Sequence, residues 1–73
     1  MTKEKAFEII RYNIGRGINK KWIGIKIYGK ATVYCLSRAK PKTADHVYPI
    51  GTYRQNKIAA KKLAYYINNG GAA

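Results

Sequence analysis

Carboxylates are nearly missing from this 73-residue chain: three Asp and Glu stand against fifteen Lys and Arg, a formal net charge of +12. Glu4 and Glu8 come at the very start, so from Ile9 to Ala73 the sole acid is Asp45. General acid–base or metal-assisted chemistry needs converging carboxylates, histidines or cysteines. Beside those acids the chain offers one His and one Cys, which argues against an enzyme and against a resident metal or cofactor. The lone Cys35 excludes an internal disulfide and a cysteine-based metal cluster, and fits a reducing cytoplasmic setting, the nucleoid if DNA is the partner. Apolar runs are only a few residues long, so neither a membrane span nor a signal-peptide core is expected. Repeats and low-complexity segments are also missing.

What is present is an apolar fraction of 47%, far too high for a disordered basic tail. The charge must coat a folded object, one small domain with a modest core. Self-repulsion at this density destabilises a compact state unless a polyanion relieves it. The phosphate backbone of DNA or RNA does so through counterion release.

The period of the apolar residues sets the expected order. Thr2 is a candidate N-cap, with Glu4 and Glu8 near the positive end of a first helix. Phe7, Ile10 and Ile14 then recur at helical spacing, flanked by Ala6 and Ile9. Gly15-Arg16-Gly17 supplies its stop. From Trp22 the period becomes two: Ile23, Ile25 and Ile27 alternate with Trp22, Gly24, Lys26 and Tyr28. Gly29-Lys30 suits a two-residue type II′ hairpin, followed by a second strand over residues 31–38. That turn pairs Ile27 with Thr32, Ile25 with Tyr34 and Ile23 with Leu36, six residues expected on the core face. Trp22, Gly24, Lys26, Tyr28, Val33, Cys35 and Ser37 go to the other face, and a one-residue slip would invert the second strand. Residues 39–45 read as a basic loop. His46 to Tyr53 reads as a third strand, placed at an edge by Pro49. A second helix is expected from about Gln55 to Asn68, with Ala59, Ala60, Leu63, Tyr66 and Ile67 inward and Arg54, Lys57 and Lys61 as a basic stripe. Asn68 to Ala73 reads as a helix stop and a frayed end. The sum is an α+β domain of order α-β-β-β-α, a three-stranded antiparallel sheet against one or two helices.

Basic residues interleaved with aromatics are the pattern that carries function. Lys20 and Lys21 enter the first strand, Trp22, Lys26 and Tyr28 share one of its faces, and Lys30 sits at the hairpin tip. Arg38, Lys40 and Lys42 extend the footprint into the loop, and Arg54, Lys57 and Lys61 add the helical stripe. Cations neutralise phosphates, while planar side chains stack on bases or pack on sugars. Trp22 fits either this role or the core. His46 and Asp45 are adjacent, so in an extended segment they point apart. A small ribonuclease-like toxin built on His46 has no motif to support it. Cys35 reads as a strand filler, and Gly15-x-Gly17 follows a helix where a phosphate-cradling loop would precede one.

Ile50-Gly51-Thr52-Tyr53, then Ala59-Ala60 and Ala64-Tyr65, resemble the AP2-type DNA-binding domain, whose third strand ends in Leu-Gly-Thr-Phe before a helix with paired Ala and a later Ala-Tyr. Gly24-Ile25-Lys26 and Gly29-Lys30 are similar to that family's Gly-Val-Arg and Gly-Lys positions. The arm-binding domains of phage integrases share the plan. The resemblance spans about Trp22 to Asn68 and implies a sheet laid in the major groove of duplex DNA, in a protein of phage or mobile-element type. It carries over Lys26, Tyr28 and Lys30. Ile23 stands where the family has Arg and Ala31 where it commonly has Trp, so bidentate guanine readout is not implied. A second resemblance is to the double-stranded-RNA-binding domain, which has the order α-β-β-β-α and a last helix opening with a Ser-Lys-Lys-x-x-Ala-Lys-like run. Here Asn56-Lys57-Ile58-Ala59-Ala60-Lys61 is similar, with Lys57 and Lys61 at phosphate-contacting positions, but that family's Gly-Pro-x-His loop is missing. The expectation is therefore a non-enzymatic nucleic-acid-binding protein, duplex DNA before RNA, monomer or homodimer. The alternative is an inhibitor or adaptor that docks on the acidic nucleic-acid channel of a host protein.

Overall fold

A computed structural model describes residues 1–15 and 20–69. It has α1 (Lys3–Gly15), β1 (Trp22–Tyr28), β2 (Ala31–Ser37), β3 (His46–Pro49) and α2 (Tyr53–Asn68), the α-β-β-β-α order of a small α+β domain. None of the helices is long and apolar enough to cross a membrane, among the described residues. The expected stop at Arg16-Gly17 and the tail from Gly70 lie outside the described residues.

Each helix starts where a side chain can satisfy its first free N–H groups. At α1 the Thr2 hydroxyl accepts from the Lys5 N–H at 3.1 Å. At α2 Thr52 accepts from the Gln55 N–H at 3.1 Å while the Gln55 carboxamide accepts from the Thr52 N–H at 3.2 Å, a reciprocal capping box. This cap corrects one expectation. The third strand does not run to Tyr53 but ends at Pro49, and Tyr53 is already helical. Gly51, at φ +136°, makes the turn between them, and its N–H donates to the buried Asn56 side chain at 2.8 Å.

The hairpin register is the expected one, with Ile27 opposite Thr32, Ile25 opposite Tyr34 and Ile23 opposite Leu36. Gly29 has φ +62° while Lys30 keeps a negative φ, as a type II′ turn requires and a type I′ turn would not allow. Strand β3 pairs with β1 rather than β2, so the order is β2-β1-β3 with β1 central. Pro49 is thus on an edge strand, and β2 forms the other edge.

The core lies on the face of the sheet where Ile23, Ile25 and Leu36 are buried. They meet Ala6 and Ile10 of α1 and Ala59, Ala60, Leu63 and Ala64 of α2, closed off by Ile50. Fully burying an isoleucine contributes roughly 1.5–3 kcal/mol, so Ile10, Ile23 and Ile25 are the chief apolar anchors. Two of the six expected inward residues, Ile27 and Thr32, are only half-buried, and Tyr34 is exposed. The helices run antiparallel: Phe7 packs edge-on against Tyr53 at 5.6 Å, and Asn68 clasps Met1. Both helices thus build on one face, leaving the other to the loop after β2.

Candidate nucleic-acid interface

The β2–β3 connection crosses the outer face of the central strand. Its path can be read from contacts on both sides of β1. Lys26 Nζ donates to the Thr43 carbonyl at 2.9 Å, and the Asp45 N–H donates to the Ile25 carbonyl at 3.0 Å. Gly24 makes the crossing possible. A Cβ there would lie 2.9 Å from Pro41 Cγ and 3.1 Å from Ala44 Cβ, closer than carbon atoms pack. An absent side chain in β1 is therefore what seats the basic loop on the sheet.

Asp45, the one acid after Glu8, is spent inside this crossing. Its Oδ2 accepts from the Ile27 N–H at 2.7 Å, standing in for a β3 carbonyl beyond the point where β3 begins. Its Oδ1 lies 3.8 Å from Lys26 Nζ, a half-exposed pair worth about 0–1 kcal/mol. The carboxylate anchors the loop and offers little neutralisation to the other lysines.

The expected binding residues divide into two groups. Lys26, Tyr28, Lys40 and Lys42 line one cleft of about 530 Å³, floored by Gly24, Val33 and Cys35 between the loop and β2. Trp22 belongs with them: it is half-buried outside the core, with Lys40 Nζ 5.6 Å from its ring centre. Tyr28 is 61% exposed, with Lys26 Nζ 6.0 Å from its ring centre. Such cation–ring contacts hold a lysine over a planar surface without neutralising it. Lys30 is exposed at the hairpin tip, and Arg38 is exposed where β2 exits. Lys20 and Lys21 lead into β1, where Lys21 is tied by its N–H to the Ser37 carbonyl at 3.0 Å.

Arg54, Lys57 and Lys61 are not brought to this cleft. They belong to α2, on the other layer, where Lys57 and Lys61 line a groove of about 610 Å³ together with Phe7, Tyr53, Glu4, Glu8, Lys3 and Arg11. Lys57 Nζ lies 5.4 Å from the Tyr53 ring centre. The helical stripe thus shares its groove with two acids and two further cations of α1.

His46 and Asp45 do go to different partners. The His46 ring stacks on Tyr66 at 4.1 Å, with its Nδ1 3.3 Å from the Tyr66 hydroxyl. Neighbouring Tyr48 has its pKa raised from 10.0 to about 12, first by burial and then by the Tyr66 hydroxyl. Neither His46 nor Tyr66 lines the clefts described above. Among the described residues there is no group of three His, Cys, Asp or Glu that could hold a metal ion.

The sequence reading missed Gly24, Pro41, Thr43, Ala44 and Asp45 as the parts that position the cations. The one signal for them was a solitary acid and a proline inside a basic loop. No family model, curated protein or solved structure matches the chain. Its surface must therefore be read from charge and geometry.

Proposed function

We propose that this protein binds nucleic acid, duplex DNA before RNA, through the outer sheet face and the loop that crosses it, without catalysis. The observation that carries this reading is the cleft in which Lys26, Lys40 and Lys42 surround an exposed Tyr28 beside Trp22, while the only nearby acid is engaged by Ile27 and Lys26. The loop covers the sheet at Gly24, so the contact is the loop together with the hairpin rather than a bare sheet.

From Trp22 to Tyr28 the central strand extends roughly 20 Å at about 3.3 Å per residue, with lysines before it, along it and beyond its end. That length suits contact with ~5 phosphates, which gives a slope of about −4 to −5 in log K against log salt concentration on B-DNA. Lysine–phosphate contacts without a bidentate arginine favour modest sequence preference. The test is a titration of labelled duplex DNA against duplex RNA and single strands at two salt concentrations. Tightest binding to duplex DNA with that slope supports the reading. No retention of any nucleic acid at low salt would end it, and a clear preference for duplex RNA would move the contact to α2.

A further inference from the structure

The two edges of the sheet are built differently. The Lys21 carbonyl just before β1, and the Ile25 carbonyl and Ile27 N–H within it, face the β3 side, where they meet Ile50, Asp45 and the Asp45 carboxylate. Backbone groups alternate along an antiparallel strand, so Gly24 and Lys26 turn theirs to β2, where Cys35 and Val33 answer them in register. The same alternation points the N–H and C=O groups of Thr32, Tyr34 and Leu36 out of the sheet. No described residue pairs with them; the Leu36 carbonyl has only a 3.8 Å contact from the Cys35 thiol.

Strand β3 is blunted by the devices that protect natural edges. It has four residues, and by the same alternation Pro49 sits where its missing N–H would have faced outward. Strand β2 has seven residues, Ala31–Ser37, with neither a proline nor a charge. In a chain this basic, an uncharged and open edge is the exception.

We infer that the free edge of β2 receives an extended acidic segment of a partner protein, added as a fourth, antiparallel strand. Charge decides the occupant. The pairing of two copies that would use Thr32, Tyr34 and Leu36 of both sets Lys30 directly opposite Arg38 of the second copy, and like charges opposed across a ladder destabilise it. Those same flanking cations, Lys30 at one end and Arg38 at the other, complement a strand with acidic ends. Backbone hydrogen bonds supply affinity in such strand addition, and the charged ends supply the choice of partner. This edge adjoins the outer face assigned to nucleic acid and shares Lys30 and Arg38 with that footprint, but its backbone groups are tested separately, with peptide and without nucleic acid.

The test is amide hydrogen exchange on the intact protein with a synthetic peptide, Glu-Thr-Val-Thr-Val-Thr-Val-Thr-Glu. In the free protein Thr32, Tyr34 and Leu36 should exchange fast, and Val33 and Cys35 slowly. Millimolar peptide should slow the first three by about tenfold or more. A peptide N-methylated along one edge, or one with Lys at both ends, should not. The inference is overturned if the three amides are unaffected by the acidic peptide. It is overturned equally if the Lys-ended or N-methylated peptide protects them as well, or if raising the protein concentration alone protects them, which would identify a second copy as the occupant.

Discussion

The two layers carry similar numbers of cations and use them differently. On the sheet side Lys26, Lys40 and Lys42 share their surface with Asp45 alone, and that carboxylate is bonded to the Ile27 N–H. On the helical side Lys57 and Lys61 face a groove in which Lys3 and Arg11 are matched by Glu4 and Glu8. The aromatics diverge as well. Trp22 and Tyr28 lie among lysines on a strand face, whereas Phe7 and Tyr53 pack edge-on against each other, with Arg11 and Lys57 beside their rings. Formal charge identifies a class of partner, and the placement of the few acids decides which surface can meet it.

The harshest way to break this contrast is Gly24→Val. Its side chain would drive into Pro41 and Ala44, so unfolding in urea should show a loss of roughly 3 kcal/mol. Loop-dependent DNA binding should be lost with it. Next comes the comparison of paired substitutions. Lys40→Ala with Lys42→Ala should weaken duplex binding roughly tenfold or more and flatten the salt slope by about 2. Lys57→Ala with Lys61→Ala should leave the slope unchanged; equal effects of the two pairs would erase the distinction between the layers.

Asp45→Asn sharpens the contrast from the opposite direction. The amide oxygen can still accept from the Ile27 N–H, so stability should move by less than about 1 kcal/mol. Removal of the one acid should tighten duplex binding by up to about fivefold at low salt. A weaker complex would mean that Asp45 takes part in the contact itself.

The smallest effect concerns the junction both layers share. The Tyr48 pKa is raised from 10.0 to about 12 by burial and by Tyr66, so the fold favours the protonated phenol. That contribution is whole below the unfolded pKa of about 10 and is lost as pH climbs through about 12. Tyr48→Phe should lose less stability than the wild type over that alkaline window, read from urea midpoints on either side of it. Identical alkaline losses would show that Tyr48 is not responsible.

Most of the fold was legible because its determinants are local. Alternating isoleucines and the Gly29-Lys30 turn specify the hairpin register, and the helical stripe of α1 specifies its buried side. The end of β3 was misjudged because Val47 to Tyr53 looks strand-like, although Thr52 and Gln55 already carried a capping-box spacing. The site was legible as a set of residues and not as an arrangement. Nothing in residues 38–45 announces that they will cross β1, since that path depends on a glycine 17 positions before Pro41. Nor does sequence spacing show that Glu4 and Glu8 will share a groove with Lys57 and Lys61.

The most direct test of the central claim is a chemical-shift titration with a short DNA duplex at low salt. The Trp22 indole and the side chains of Tyr28, Lys26, Lys40 and Lys42 should shift together and saturate, with Arg54, Lys57 and Lys61 nearly silent. Saturable shifts centred on α2, with the Trp22 indole unmoved, would contradict it.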